Sequence, residues 1–188
     1  SAPGGLAAWL TGRPLLIHEQ NAVAGTTNRL LSRFANKVFE AFPNSFPDGV
    51  ETELVGNPVR RSMAELPSPR ERLSERQARP RVLVLGGSQG AIPFNHHFQN
   101  HLEQYIDLNI QILWQCGKKY FSELKELSRN QDVHIIPFTE DMDIFYSAAD
   151  LIVSRAGALA LSEMALLGKA MVLIPLPRSS GNHQTTNA

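Results

Sequence analysis

Arg81-Val82-Leu83-Val84-Leu85-Gly86-Gly87-Ser88-Gln89-Gly90-Ala91 is the stretch on which the fold turns. The unbroken apolar run through Leu85 reads as a buried strand, and the glycines after it mark a turn into a helix. Such a turn presents free backbone N–H groups and the positive end of a helix dipole, a natural seat for an anion. Glycine permits close backbone approach, and the Ser88 hydroxyl can donate to a phosphate oxygen. A tight strand-to-helix turn, which any doubly wound domain needs, explains the same glycines, so both readings stand. Gly-x-Gly-x-x-Gly and Gly-Lys-Ser/Thr are absent, which disfavours a dinucleotide or ATP site.

Working toward the C-terminus, 110–114, 133–136, 151–153 and 170–174 read as strands, and 118–128, 141–149 and 158–167 as helices. Strands alternating with helices imply a parallel sheet covered on both faces, so 81–188 is expected to be a Rossmann-like domain. Toward the N-terminus, 65–80 (ELPSPRERLSERQARP) is rich in charge and proline and reads as a linker. Before it, Leu15-Leu16-Ile17 is a strand and Leu30, Leu31 and Phe34 follow in a helical pattern. A strand at 37–42 and the turn Gly56-Asn57-Pro58 complete this part. Residues 1–64 are therefore expected to be the C-terminal part of a similar domain. No repeat of solenoid period is visible.

The 188 residues suffice for one large domain or parts of two, and 43% hydrophobic with 19% charged residues describes a globular chain. Lysine plus arginine and aspartate plus glutamate each number 18, so no global field favours nucleic acid as a partner. Cys116 stands alone, without a disulfide mate or a companion at metal-ligand spacing, which fits a reducing compartment. The apolar stretch 156–177 is interrupted by Glu163, Lys169 and two prolines and does not read as a membrane span of about 20 residues. The opening Ser-Ala-Pro-Gly-Gly carries no leader pattern and reads as a truncation. No Cys/His cluster, closely spaced acidic pair such as Asp-x-Asp, or His-Glu-x-x-His motif is read here, so neither zinc nor a diphosphate-bridging divalent ion, and no cofactor, is expected. Phosphate charge would then fall to helix ends and to basic side chains such as Arg60.

Arg155-Ala156-Gly157-Ala158-Leu159-Ala160-Leu161-Ser162-Glu163 again follows a strand and opens a helix, now with a carboxylate in its second turn. Two carboxylate oxygens can accept from both hydroxyls of a vicinal diol, so Glu163 is a candidate for holding a ribose while the helix start faces a diphosphate. The ordinary alternative is a surface glutamate on an amphipathic helix. Downstream, Pro175-Leu176-Pro177 leads to Asn182-His183-Gln184, where Gln184 and Asn187 offer amides suited to sugar hydroxyls or, equally, to helix capping. His18-Glu19-Gln20-Asn21, at a strand end, is a further candidate site, although His18 alone would more often be structural. Trp9, within Leu6-Ala7-Ala8-Trp9-Leu10, is expected in the core rather than at a membrane surface.

Pro3-Gly4-Gly5-Leu6-Ala7-Ala8-Trp9, His18-Glu19-Gln20-Asn21, Gly56-Asn57-Pro58-Val59-Arg60, Gly86-Gly87-Ser88-Gln89-Gly90-Ala91, Gly157-Ala158-Leu159-Ala160-Leu161-Ser162-Glu163 and His183-Gln184, in this order and spacing, resemble the MurG family over nearly the whole chain. The resemblance implies a GT-B glycosyltransferase fold: two Rossmann-like α/β domains with parallel sheets, the N-terminal one incomplete, and an active site in the cleft between them. It implies that Glu163 holds the ribose hydroxyls, that Ser88 and the backbone at Ala158 and Leu159 hold the diphosphate, and that Gln184 and Asn21 hold the N-acetylglucosamine. Arg60 is implied to contact the donor, and Thr139 to read uracil through its backbone. The donor segment continues through Ala160, Leu161 and Ser162. Many relatives carry threonine where this chain has Ala160, so a hydroxyl near the phosphates is missing or replaced by water. The family's glycine-rich N-terminal loop with its histidine is not in this chain, and no catalytic base is assigned.

The implied reaction is inverting. The 4-hydroxyl of the muramyl sugar of lipid I attacks the anomeric carbon of UDP-N-acetylglucosamine from the face opposite UDP, giving lipid II of peptidoglycan synthesis. The setting implied is peripheral, on the cytoplasmic face of the bacterial inner membrane, with the membrane surface as a partner. Two other readings remain open: another GT-B enzyme such as a UDP-N-acetylglucosamine epimerase, and a nucleotide-sugar-binding subunit that needs a separate partner chain.

Overall fold

The structure is a computed structural model that describes residues 2–68, 71, 79–87, 90–176 and 182–188. The chain forms two compact units, one of Ser1–Val59, Ala156–Ser162 and Pro175–Ala188 and the other of Arg60–Arg155 and Glu163–Ile174.

In the first unit, β1 (Leu16–Glu19), β2 (Lys37–Glu40) and β3 (Glu53–Leu54) form a parallel sheet in the order β1-β2-β3. β1 and β2 bury alternate residues, so Ile17 and Val38 reach the core with Ala24 and Phe46, while Glu19 and Glu40 are also buried at the strand ends. The strands start in register because the Asn36 amide oxygen accepts the Leu15 N–H at 2.8 Å. Helix α2 (Thr26–Leu31) and a 3-10 turn at Ser32–Phe34 form the helical segment expected from Leu30, Leu31 and Phe34.

Ahead of β1 lies α1 (Ala2–Leu10), a helix for which Gly4, Gly5 and Pro3 give no sequence signal. Its buried residue is Gly5, against which the Leu31 side chain of α2 packs so closely that a Cβ there would push the leucine aside. That contact turns Leu6, Trp9 and Leu10 outward. Trp9 is 46% exposed and packs against Phe34 at a tilted angle, with ring centroids 4.8 Å apart, which corrects its expected place in the core.

The second unit carries β4 (Arg81–Leu85), β5 (Gln111–Gln115), β6 (Val133–Ile136), β7 (Leu151–Ser154) and β8 (Ala170–Leu173), all parallel, in the order β6-β5-β4-β7-β8. Around them run α3 (Arg61–Ala64), α4 (Ile92–Asn100), α5 (Leu102–Asp107), α6 (Phe121–Leu124), α7 (Met142–Ala148) and α8 (Ala158–Leu166), the last of these continuing through both units. The expected helix over 118–128 is shorter. The chain turns at Gly117 with positive φ, forms α6, and tightens into a 3-10 segment over Lys125–Arg129. Phe94, Phe98, Ile112, Trp114 and Leu124 make up much of one core cluster. Its polar insertion is Asn95, 2% exposed, which accepts from Trp114 Nε1 at 3.2 Å and donates to the Cys116 carbonyl at 2.9 Å. Burial pushes the Cys116 thiol pKa up, which keeps it an unreactive core group. Among the described residues, no helix is long and apolar enough to cross a membrane.

Candidate functional site

In the second unit, the chain steps from β4 outward through β5 to β6 and then crosses back to β7 on the other side of β4, so the winding reverses between β4 and β7. Ligands of open α/β sheets bind beyond the carboxyl ends of strands at such a switch point. The two glycine-containing turns singled out in the sequence leave from these neighbours, at Leu85 and at Ser154. Ser88 lies outside the described residues. The glycines around it have packing reasons of their own. A Cβ on Gly86 would lie 2.6 Å from the Ala91 nitrogen, and Gly90 has φ +75 with the Cys116 carbonyl against its α-carbon.

Glu163 is not the surface residue that an amphipathic helix would give. Its side chain is 4% exposed, and it stands beside Arg60, with Nε 3.4 Å from Oε1. That contact is an ion pair without hydrogen-bond geometry: among the described residues Oε1 has no hydrogen-bond partner. Oε2 accepts the Tyr146 hydroxyl at 3.5 Å. Burial raises the Glu163 pKa, opposed by the Arg60 charge and by the Tyr146 hydrogen bond. Arg60 also donates from Nη1 to the Glu140 carbonyl at 3.1 Å. Glu140 follows Thr139, whose hydroxyl accepts the Asp141 N–H at 3.0 Å and shapes the bend ahead of α7. The structure thus draws Arg60, Glu163 and the 139–141 bend together. Tyr146 carries no signal in the sequence, where it reads as one apolar-stripe residue of a helix. Asp141-Met142-Asp143 is an Asp-x-Asp pair, which corrects the expectation that the chain has no closely spaced acidic pair. Asp141 stands at the N-cap position of α7 without a side-chain cap bond, and Asp143 sits in the first turn, where negative charge suits the helix dipole.

α8 has no acidic residue in its first turn. Its hydrogen-bond ladder begins with Leu161 N–H to the Gly157 carbonyl at 2.9 Å, so the N–H groups of Ala158, Leu159 and Ala160 precede the ladder. Ala158 is buried, whereas Leu159 is exposed. Ser162 turns its hydroxyl back to the Ala158 carbonyl at 2.9 Å and accepts from Asn57 Nδ2 at 3.0 Å. The same Asn57 amide donates to the Gln20 carbonyl.

In the first unit the His18–Asn21 segment is organised around Glu19, which is 4% exposed. Oε1 accepts the Asn21 N–H at 2.9 Å and Asn21 Nδ2 at 3.0 Å; Oε2 accepts the Gly25 N–H at 3.1 Å and Asn28 Nδ2 at 2.9 Å. Burial by itself would raise this carboxyl pKa, but the bonds from Asn21, Gly25 and Asn28 together outweigh it and hold the pKa below its ordinary value. Glu19 therefore builds the loop. His18 Nε2 lies 2.9 Å from the Gly56 carbonyl and joins this segment to the Gly56-Asn57-Pro58 turn. Asn21 Oδ1 accepts from Asn187 at 3.2 Å, and Asn187 also binds the Ala22 N–H and the Ala156 carbonyl. One proton of the Asn21 amide and one lone pair of its oxygen remain unused by these bonds. Gln184, in α9 (His183–Asn187), accepts the Leu176 N–H through Oε1 at 2.8 Å, which leaves its NH2 group as the donor it can offer.

Residues 81–188 match the glycosyltransferase family 28 C-terminal domain, and residues 1–40 match the family's N-terminal domain. The chain is 44% identical over 195 residues to the UDP-N-acetylglucosamine–N-acetylmuramyl-(pentapeptide) pyrophosphoryl-undecaprenol N-acetylglucosamine transferase of Acinetobacter baylyi, covering 100% of this chain and 53% of that protein. The transferase of the same name from Halorhodospira halophila is 46% identical over 191 residues, with the same coverage. The crystal structure of Acinetobacter baumannii MurG superposes with a TM-score of 0.81 at 41% identity, covering 99% of this chain and 52% of that one. A glycotransferase of kitacinnamycin superposes with a TM-score of 0.68 at 17% identity, over 100% of this chain and 57% of that one, a likeness of fold alone. The chain spans about half the length of the curated relatives it matches.

Proposed function

The chain belongs to glycosyltransferase family 28, in its MurG branch, and from that premise we propose that it binds UDP-N-acetylglucosamine for transfer of the sugar to lipid I. Its parallel-sheet α/β architecture is that of GT-B glycosyltransferases. The observation that carries the reading is Glu163: a buried carboxylate with one oxygen left without a hydrogen bond among the described residues. Burying such a group costs several kcal/mol in general unless a partner compensates, and perturbed buried carboxylates cluster at ligand sites. A ribose supplies two hydroxyl donors of the needed kind.

In this assignment the N–H groups of Ala158, Leu159 and Ala160 meet the diphosphate, with Ser88 as a further donor, and Leu161 and Ser162 complete that segment. Arg60 supplies positive charge beside the donor, and the backbone at Thr139 reads the base. Asn21 and the Gln184 NH2 group hold the N-acetylglucosamine. In an inverting attack by the muramyl 4-hydroxyl, negative charge builds on the departing diphosphate, and the positive end of the α8 dipole stabilises it. The product is lipid II. The acceptor is a lipid, so the enzyme works peripherally at the cytoplasmic face of the inner membrane. Exposed Leu6, Trp9 and Leu10, with Arg13 just beyond α1, support contact with the bilayer surface.

Binding is the direct test. Calorimetric titration of the 188-residue chain in a strong chelator is expected to rank UDP-N-acetylglucosamine above purine-nucleotide sugars. Glu163→Ala is expected to weaken UDP by about 1.5–3 kcal/mol while the fold is kept. Equal affinity for a purine-nucleotide sugar, or unchanged UDP affinity in a folded Glu163→Ala variant, refutes the assignment.

A further inference from the structure

Tyr146 is among the largest fully buried side chains, 2% exposed, and its hydroxyl points at Glu163 Oε2, 3.5 Å away. A carboxylate only accepts, so the phenol is the donor. Burial, and next the Glu163 charge, push the Tyr146 pKa far up, so the phenol keeps its proton throughout the range in which proteins fold. Among the described residues, the charged or titratable groups facing Glu163 are Arg60, which precedes α3, and Tyr146, from α7. They divide the carboxylate between them: Oε2 accepts the hydrogen bond from the phenol, while Oε1 lies beside Arg60 without a hydrogen bond among the described residues.

We propose that Tyr146 is a positioning residue for nucleotide recognition, pinning Oε2 of Glu163 so that Oε1 is held toward a vicinal diol. The inference rests on the reading of Glu163 as the ribose holder. A carboxylate held at one oxygen has lost most of its torsional freedom before the ligand arrives, so binding forfeits less entropy. Without the phenolic O–H, the carboxylate can rotate to present both oxygens to the Arg60 guanidinium, an arrangement that competes with the diol. The same loss removes a bond that favours the charged carboxylate, so burial then moves its protonation to higher pH.

The test compares the 188-residue chain with its Tyr146→Phe variant, which keeps the ring and deletes the donor, using UDP and 2′,3′-dideoxy-UDP from acid to neutral pH. Losing a long hydrogen bond to a charged group is expected to weaken UDP on the order of fivefold while leaving the dideoxy analogue within about twofold. The acid limb of UDP binding should move up by roughly half a pH unit. In a Glu163→Gln background the Tyr146→Phe effect should vanish. If Tyr146→Phe does not fold, 3-fluorotyrosine in the unmutated chain gives the readout: the buried fluorine resonance shifts with UDP and not with the dideoxy analogue. A wild-type chain that binds both ligands equally overturns the ribose reading itself. Discrimination by the wild type that survives in Tyr146→Phe with an unmoved acid limb overturns the positioning role alone. Equal loss for both ligands in Tyr146→Phe also overturns it, because the residue then acts on packing. A fluorine resonance unmoved by UDP does the same.

Discussion

Replacing Glu19 by glutamine changes one atom of a buried carboxylate and leaves its volume almost unchanged, so the outcome isolates charge and hydrogen bonding. In the native chain each oxygen accepts two donors: Asn21 N–H and Nδ2 at Oε1, Gly25 N–H and Asn28 Nδ2 at Oε2. A glutamine amide has one oxygen and one NH2 group. Whichever way it is turned, the NH2 faces two donors, and two bonds are replaced by donor-to-donor contacts. With about 1.5 kcal/mol or more for each bond to a charged group, the loss is about 3 kcal/mol. The sign of the pH dependence is fixed as well. The net lowering of the Glu19 pKa below its ordinary 4.5 means that its contribution is present above that value and is lost as pH falls through the folded value. Urea unfolding of wild type and Glu19→Gln should therefore differ most at neutral pH and converge as pH falls through the lowered folded pKa, where the protonated carboxyl resembles the amide. A neutral-pH difference under about 1 kcal/mol, or one that persists unchanged in acid, would refute the view that a charged Glu19 builds this loop.

Glu163 should behave in the opposite way. Burial raises its pKa, so its ionisation costs stability as pH rises through the folded value, and Glu163→Gln is expected to unfold at higher urea than wild type at neutral pH but not in acid. Urea midpoints at the two pH values check this, and a Gln variant less stable at neutral pH contradicts it. Gly90→Ala should cost about 2 kcal/mol or more, because φ +75 disfavours a side chain and the Cys116 carbonyl occupies the space of its Cβ. A thermal melt within a degree or so of wild type would show that this turn yields more easily than its geometry implies.

Local pattern was enough to place the strands except β3, whose two exposed residues Glu53 and Leu54 carry no apolar run. Val82 to Leu85, Ile112 to Trp114 and Ile152-Val153 are short apolar runs bounded by breakers, and both sheets are parallel as their alternation with helices implies. The turn after Leu85 was legible for the same reason, since its glycines are needed at positive φ or against backbone whether or not a phosphate binds there. Helix α1 was not legible, because Gly4 and Gly5 are poor helix formers, and its packing against Leu31 at Gly5 is a tertiary contact. The same packing decided that Trp9 faces outward. Glu163 was named from the sequence but its burial was not, because a carboxylate in an apolar helix pattern says nothing about which face the rest of the chain covers. Burial depends on Arg60 and Tyr146, 103 and 17 positions away, and only the tertiary fold brings a cation and a phenol to the same carboxylate. His18-Glu19-Gln20-Asn21 divides likewise: its composition marked a polar strand end, but only the bonds from Asn21, Gly25 and Asn28 identify Glu19 as the residue that holds the others in place. Backbone preference and hydropathy act over a few neighbouring residues and can be read in order along the chain. The partners of a buried polar atom are set by folding, which brings together residues far apart in sequence.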